Sequence, residues 1–232
     1  MHTDLNGNQL LNRLPQAQFA ELFRRLKLIQ LESGQIIYEA RSQIEYAYFP
    51  TSGTLSAVVV VSSGKMIEVA TVGREGAAGL PAFVEAQTSP NRVFCQVPGA
   101  ALRIEANFLE RAAQKDGPLR KLLFQYQAAF MFQVSQSVAC NGLHDLAERC
   151  CRWLLMTHDR VDGDEIQLTH EFLAAMLGAR RSSVTEALQV LKEKGLVDYG
   201  RGRITVVNRQ GMEAGSCECY ESVRAEYVRL LK

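Results

Sequence analysis

Polar and basic side chains concentrated between residues 178 and 210 have the chemistry of a nucleic-acid contact. Seven Lys and Arg residues there outnumber three Asp and Glu residues, so the segment carries +4 in a chain whose formal net charge is +1. Such a local excess indicates one anionic partner rather than general attraction to polyanions. We predict a helix from about Arg181 to Lys194, whose first turns could enter the major groove of DNA and reach base edges. Its outward residues are Arg181, Ser182, Thr185, Glu186 and Gln189.

A second helix must precede this one to hold it in place. Thr169 is a suitable N-cap, and Gly178 suits the left-handed position that ends a helix. Gly195 would end the helix that begins near Arg181 in the same way. Two helices joined by a turn of three or four residues around a glycine form a helix-turn-helix unit. The predicted inward residues are Phe172, Leu173, Met176, Val184, Leu188 and Leu191.

A β-hairpin follows, with arginines at and beside its tip. Residues 196–199 and 203–207 alternate like strands around Gly200-Arg201-Gly202. Arginines on such a wing would meet phosphates, which fix the register on DNA without reading sequence. The alternative is a winged helix used only for protein contacts. The complete set of predicted DNA contacts is Thr169, His170, Arg180, Arg181, Ser182, Ser183, Thr185, Glu186, Gln189, Arg201 and Arg203.

The elements upstream predict an α+β chain. After a short amphipathic helix at 14–26, apolar strand-like runs between residues 28 and 104 are separated by Gly, Ser, Asn and Pro turns, which favours a sandwich or barrel. A long helix is then predicted from Leu119 to Asn141, where Asn141-Gly142 would break it. Its apolar residues cover most of its circumference, so it must be covered from several directions. We predict a dimer here, with burial inside one subunit as the alternative. The predicted dimer residues are Leu119, Leu122, Leu123, Tyr126, Phe130, Val134 and Val138.

The stretch LTHEFLAAMLGARRSSVTEALQVLKEKGLVDYGRGRITVVN, residues 168–208, resembles the DNA-binding domain of the Crp/Fnr family of bacterial transcription regulators. The order of elements before it is similar too. The resemblance implies an N-terminal cyclic-nucleotide-binding-like β-roll of the jelly-roll type at 1–117, a dimerisation helix and hinge at 118–142, and a winged helix-turn-helix at 143–232. It implies a homodimer on an inverted-repeat operator whose half-sites lie about one helical turn apart. RNA polymerase would be a further partner if the protein activates transcription.

The resemblance also assigns individual residues. Arg181 falls where the family has an arginine that pairs with guanine. Ser182 stands where many members carry glutamate, and Glu186 where many carry a second arginine. Because of these two departures, the best-known operator sequence of the family should not be assumed for this chain.

The effector of the β-roll is left open by the sequence. In this fold a cyclic nucleotide needs a glutamate on the ribose and an arginine on the phosphate, and the likeliest register puts Ala78 and a position near Ser89 there. Glu75 and Arg92 could substitute in a shifted register. An unknown small molecule, redox sensing through Cys95 or Cys140, or a purely scaffolding role are the other readings. The predicted pocket residues are Gly73, Glu75, Gly76, Ser89 and Arg92.

Metal, haem and iron–sulfur chemistry are not expected. The six cysteines, at positions 95, 140, 150, 151, 217 and 219, form no CxxC pair, and none lies near the N-terminus where iron–sulfur members of the family have a cluster. The four histidines, at 2, 144, 158 and 170, lie outside the predicted β-roll, which disfavours haem. Buried reduced thiols are the expectation, with metal or oxidant chemistry at Cys150–Cys151 and Cys217–Cys219 as the less favoured alternative. No cofactor is therefore predicted.

The composition and motifs exclude most other classes. Hydrophobic residues make up 47% and charged residues 22%, as in ordinary globular proteins. The longest apolar runs are too short to span a bilayer, and the N-terminus has no signal-peptide pattern, so we expect a cytoplasmic protein without a membrane partner. No P-loop, dinucleotide fingerprint, HExxH or triad-like arrangement is present, so catalysis is not predicted. The alternative function is a small-ligand-binding signalling module whose winged helix binds protein.

Overall fold

The computed structural model describes residues 7–84, 86–115 and 117–231. It has the predicted mixture of helices and antiparallel sheets. The chain divides into two compact units. The first comprises Met1–Ala57, Thr71–Met131 and Tyr227–Lys232, and the second comprises Val58–Ala70 and Phe132–Glu226. The predictions for the first six residues, including His2, lie outside the described part.

Seven strands form two antiparallel sheets near the start of the chain. Their bounds are β1 Lys27–Leu31, β2 Ile36–Tyr38, β3 Tyr46–Pro50, β4 Thr54–Val60, β5 Met66–Val72, β6 Arg92–Val97 and β7 Gly99–Glu105. The strand orders are β1-β7-β3 and β2-β6-β4-β5. In the first sheet Phe49 pairs with Leu102. Phe49, Leu55 and Ile104 are fully buried, because alternate strand residues point into the core. The predicted double-sheet architecture is confirmed.

Two short helices flank these sheets. The first, α1, spans Gln16–Phe23, within the predicted segment 14–26, and α2 spans Ala106–Gln114. Leu109 of α2 is buried in the core of the first unit.

The long helix α3 spans Pro118–Leu143, so it continues through the predicted break at Asn141-Gly142. A glycine inside a helix costs only about 1 kcal/mol relative to alanine, and Gly142 does not adopt a left-handed backbone. The amide of His144 still donates to the carbonyl of Cys140 at 3.3 Å. The next helix, α4 at Leu146–His158, is begun by a capping box between Asp145 and Glu148. The chain therefore turns at His144 and Asp145, not at the glycine.

The predicted dimer face of α3 needs correction. Its first four residues, Leu119, Leu122, Leu123 and Tyr126, are buried by their own chain, so they cannot form a surface that a partner covers. Phe130 and Val134 are half-buried, and only Val138 of the predicted set is exposed. The sequence indicated that α3 is apolar nearly all round, but not which side its own chain covers.

The exposed side of α3 carries a different set of apolar residues. Phe124, Met131 and Val138 recur every seven residues with 45%, 58% and 68% of their surface exposed. Ala128 and Ser135, exposed and small, lie four residues after the first two of these. Alternating spacings of four and three residues describe the seam along which two helices pack as a coiled coil. We call these five residues the α3 seam.

Besides Val58–Ala70 and the end of α3, the second unit contains a three-stranded sheet and five helices among its described elements. The helices are α4, α5 His170–Met176, α6 Arg181–Glu193, α7 Arg209–Ala214 and α8 Cys219–Leu230, and the last ends inside the first unit. The strands β8 Glu165–Gln167, β9 Val197–Gly200 and β10 Arg203–Val206 have the order β8-β10-β9. Leu154, Leu173, Val184, Leu188 and Ile204 are fully buried, and they form the core beneath α6. No helix in the described ranges is both long and apolar enough to cross a membrane.

Candidate nucleic-acid interface

The turn between α5 and α6 has the predicted local structure. The Thr169 hydroxyl caps α5 by accepting a hydrogen bond from the amide of Phe172 at 3.1 Å. Gly178 has φ +59°, and a Cβ there would lie 2.8 Å from the Cδ1 of Ile67. A residue with a side chain would therefore meet both a disfavoured backbone and a steric clash. Arg180 is extended and precedes the first turn of α6. The predicted cap and the predicted glycine are both confirmed.

Helix α6 presents its polar side outward, as predicted. Val184, Leu188 and Leu191 are buried. The residues that the sequence assigned to DNA contact are exposed along the other side, except Ser183, which is half-buried. The exposed ones on or next to α6 are Arg180, Arg181, Ser182, Thr185, Glu186 and Gln189.

A surface hollow of about 500 Å³ brings together predicted contacts from three elements. Thr169 and His170 come from the start of α5, Arg181 from the first turn of α6, and Arg201 and Arg203 from the wing. These residues are separated by up to 34 positions in sequence, yet they line one concave surface. Three arginines around such a surface suit a polyanion.

The hollow also includes residues that the sequence did not predict. Leu168, Glu171 and Tyr199 also line it. The Tyr199 hydroxyl donates to Oε1 of Gln189 at 2.8 Å, and its ring lies 4.8 Å from that of His170. Tyr199 therefore links the wing to the outward side of α6. The one sequence signal for a role of Tyr199 was its place in a short polar strand beside the wing arginines.

Hydrogen bonds set the side chains around the first turn of α6. His170 Nδ1 lies 3.0 Å from the Thr185 hydroxyl, which itself donates to the carbonyl of Arg181. The Arg181 guanidinium lies 3.9 Å from the carboxylate of Glu171, and both side chains are largely exposed. An exposed pair of this length contributes little to stability, so Arg181 can exchange Glu171 for another acceptor at small cost.

Partial burial and the positive charge of Arg181 lower the pKa of His170. His170 is therefore mainly neutral at neutral pH. A phosphate oxygen placed near its ring would favour the charged form and raise that pKa again. The hollow thus contains one group whose protonation should respond to an anionic ligand.

The wing has the geometry of a two-residue hairpin. Gly200 pairs with Arg203, so the turn consists of Arg201 and Gly202. Both have positive φ, 51° and 78°, as a type I′ turn requires. Arg201 is exposed, and no ion pair holds it within the part of the chain that the structure describes. Arg203, in contrast, lies 3.4 Å from Glu165.

A separate cavity lies in the first unit. It has a volume of about 160 Å³ and is lined mainly by apolar residues of the sheets and by Gln127, Phe130 and Met131 of α3. Ala78, at the predicted position of the family's glutamate, and Ser89, near the predicted position of its arginine, both line it. Tyr38, Asn91 and Gln127 supply the other polar groups, and no charged residue in the described ranges lines it.

Of the predicted pocket residues, only Ser89 reaches this cavity. Glu75 accepts a hydrogen bond from the amide of Gly73 at 3.1 Å, within its own turn. Arg92 pairs with Glu39 at 2.8 Å. A Cβ on Gly76 would lie 2.1 Å from the Tyr126 hydroxyl, so this glycine permits close packing against α3. Glu75 and Arg92 therefore do not place their charges in the cavity, as binding of a cyclic nucleotide in the shifted register would require.

The cysteines that were considered as redox sensors have different surroundings. Cys95 is fully buried, and burial raises the pKa of its thiol to about 11. Burial likewise raises the pKa of Cys150 to about 12 and that of Cys151 to about 11. A buried thiol that stays protonated is a poor nucleophile, so these three behave as packing residues. Cys140 lies elsewhere, beside Cys217.

Comparison with known proteins identifies both parts of the chain. A cyclic nucleotide-binding domain matches residues 28–116, and a Crp-like helix-turn-helix domain matches residues 148–214. Together the matched ranges take in more than half of the chain. These two domains in this order define a class of DNA-binding transcription regulators rather than enzymes.

Several known proteins match this chain over nearly their whole length. The global nitrogen regulator of Synechococcus elongatus is 24% identical over 88% of this chain and 95% of its own. The structure of FixK2 from Bradyrhizobium japonicum has a TM-score of 0.71 at 19% identity, covering 83% of this chain and 98% of FixK2. A CRP-family regulator from Thermus thermophilus has a TM-score of 0.69 at 20% identity, covering 81% of this chain and 96% of its own. The chain belongs to the Crp/Fnr family of transcription regulators.

Proposed function

We propose that the protein acts in the cytoplasm as a homodimer that places α6 of each subunit in the major groove of an inverted-repeat operator. The observation that carries this proposal is the hollow, which gathers Thr169, His170, Arg181, Arg201 and Arg203 around the first turn of α6. In this arrangement Arg181 reaches a base edge, while Arg201 and Arg203 contact phosphates on either side.

The α3 seam supports the homodimer. A lone helix in water does not usually expose Phe124, Met131 and Val138 along one line. A second copy of α3 would cover all three with small residues between them, as in other two-stranded coiled coils. Two subunits related by a two-fold axis would then present two α6 helices to two half-sites.

Selection of bound sequences from a random duplex pool tests the proposal, with purified protein under reducing conditions and no added ligand. We expect enrichment of an inverted repeat with half-sites about 10 base pairs apart. Arg181→Ala provides the matched control, since it should lose preference at one base of each half-site. A chain that bound DNA without salt dependence or base preference would contradict this function and favour the alternative of a winged helix that binds protein.

The cavity of the first unit supports an effector other than a cyclic nucleotide. A cyclic phosphate taken out of water needs a charge-assisted partner, and the cavity offers Ser89 and Asn91 in place of an arginine. An uncharged, largely apolar small molecule with one or two polar groups fits this lining better. Calorimetry with cyclic AMP and cyclic GMP should show no binding, and binding of either with a micromolar Kd would contradict this proposal. Contact with RNA polymerase remains a prediction that applies only if the protein activates transcription.

A further inference from the structure

Four side chains of types that can bind metal ions converge in the second unit, outside the surface hollow. One ligand atom from each of Cys140, His144, Cys217 and Cys219 lies within 4.8 Å of every other. Cys140 and His144 are four residues apart at the end of α3, so they share one face of the helix. Cys217 and Cys219 flank a single residue where α8 begins. The chain thus brings two pairs of ligands from distant segments to one point.

The distances suit a tetrahedral ion. With Zn–S bonds of about 2.3 Å, two sulfurs of a tetrahedral site lie about 3.8 Å apart, and a sulfur and an imidazole nitrogen slightly less. The sulfurs of Cys140 and Cys217 are 3.5 Å apart, and Cys219 Sγ is 3.7 Å from Nδ1 of His144. An ion at the centre would need shifts of only a fraction of an ångström in these side chains.

The second nitrogen of His144 is also arranged as metal sites require. Its Nε2 lies 3.3 Å from the carboxylate of Glu218, the residue between the two cysteines. A histidine that binds a metal through one nitrogen usually donates the N–H of the other to a carboxylate or a carbonyl, which fixes the ring and strengthens the ligand. Nδ1 of His144 therefore faces the sulfurs, while the Glu218 carboxylate lies beside Nε2.

The surroundings fit a negatively charged metal complex. The three cysteines are almost completely buried, with 1%, 4% and 2% of their surface exposed. A zinc ion with three thiolates and one neutral imidazole carries a net charge of −1. The Nη2 of Arg149 donates to Oδ1 of Asn141, the residue after Cys140, at 2.8 Å. The Nη2 of Arg152 donates to the Ser137 hydroxyl, one turn before Cys140.

We propose that Cys140, His144, Cys217 and Cys219 bind one Zn²⁺ in a structural site. Thiolate and imidazole ligands in tetrahedral geometry select zinc over magnesium or calcium, and four protein ligands leave no open position for catalysis. The ion fastens the end of α3 to the junction between α7 and α8. From the sequence, metal binding at Cys217–Cys219 is only the less favoured alternative, because the chain has no CxxC pair. The site uses a CxC pair and a helical pair instead, and their proximity depends on the fold.

A redox pair is the competing reading of the same atoms. A disulfide between Cys140 and Cys217 would use two of the four side chains and would leave the convergence of Cys219, His144 and Glu218 unexplained. The zinc site accounts for all five residues. The experiment must therefore separate metal binding from disulfide formation.

The first measurement is the metal content of the full-length protein, purified under reducing conditions without chelator. We expect elemental mass spectrometry to find about one zinc ion per chain. Replacement with Co²⁺ should give the visible absorption of a tetrahedral thiolate complex. Wild-type protein that carries no zinc and binds no Co²⁺ would overturn the proposal. A Cys140–Cys217 disulfide in that metal-free protein would assign the cluster to redox chemistry instead.

Variants identify the ligands. Cys219→Ser should abolish the cobalt absorption, and Cys95→Ser, which removes a buried cysteine outside the cluster, should leave it unchanged. His144→Cys should retain the metal and shift the cobalt spectrum towards that of a four-sulfur site, which keeps the test valid if Cys219→Ser fails to fold. Glu218→Gln should lower metal affinity about 10–100-fold, with Glu221→Gln, in the first turn of α8, as its control. A cobalt spectrum that His144→Cys leaves unaltered would remove His144 from the site.

Discussion

Replacing Arg201 by asparagine should make the protein more stable and its DNA binding weaker. Arg201 is the first residue of the two-residue wing turn and has φ 51°. The left-handed conformation costs a residue with a long side chain roughly 1–2 kcal/mol, whereas asparagine tolerates it and is preferred at this position of a type I′ turn. Arginine at this position therefore lowers the stability of the folded chain, and we attribute its presence there to a phosphate contact.

The two effects can be estimated separately. Relief of about half the backbone cost gives a gain of about 0.5–1 kcal/mol, which raises Tm by about 1–4 °C in a chain of this size. Each phosphate contact releases about 0.9 counterion, so a dimer that loses two contacts should show a salt slope smaller by about 2. Between 50 and 200 mM salt, the wild type should then lose about tenfold more affinity than Arg201→Asn.

Thermal unfolding and fluorescence anisotropy over a salt series measure the two quantities. Arg201→Lys is the matched control, because it keeps both the charge and the strained backbone and should change neither Tm nor the salt slope. An unchanged salt slope for Arg201→Asn would show that the wing does not contact phosphates. A lower Tm would refute the reasoning from backbone strain.

Four further predictions test other parts of the structure. Arg181→Ala should cost roughly 1–3 kcal/mol at one base position of each half-site while leaving binding to unrelated DNA nearly unchanged, as competition assays would show. Val138→Glu should convert the proposed dimer to a monomer in analytical ultracentrifugation, whereas Val228→Glu, at a valine on α8 that is also more than half exposed, should not. DNA affinity should rise as pH falls through the window between the pKa of His170 in the complex and its lowered pKa in the free protein, and His170→Gln should remove that rise at constant salt. Cys95 should resist iodoacetamide in the native protein at pH 8 and react only after denaturation, and rapid labelling of the folded chain would contradict its raised pKa.

The helix-turn-helix was predictable because its signals are local. The N-cap Thr169 and the glycines 178 and 195 act within a few residues of the backbone that they shape. Apolar spacing then specified which side of α6 faces inward. The wing followed from Gly200-Arg201-Gly202 between two alternating segments, although the three-residue β8 that completes its sheet was too short to carry a pattern.

The features that depend on distant contacts were not predictable in the same way. An apolar pattern shows how much of α3 is covered, but contacts with distant segments, such as the close approach of Gly76 to Tyr126, decide that Tyr126 is buried while Met131 is exposed. The cavity and the four-ligand cluster have the same origin. Cys140 and Cys217 are 77 positions apart, and nothing in their local sequence indicates that their sulfurs meet.

Met131 lines the cavity of the first unit and also belongs to the α3 seam. In the proposed dimer, a molecule that enters the cavity and changes the rotamer of Met131 would change the free energy of pairing through this side chain. Thermodynamic reciprocity then requires pairing to change the affinity for that molecule by the same factor. The concentration of the protein itself would therefore tune its sensitivity to the effector, so that a cell with more of the regulator would respond at a different effector level.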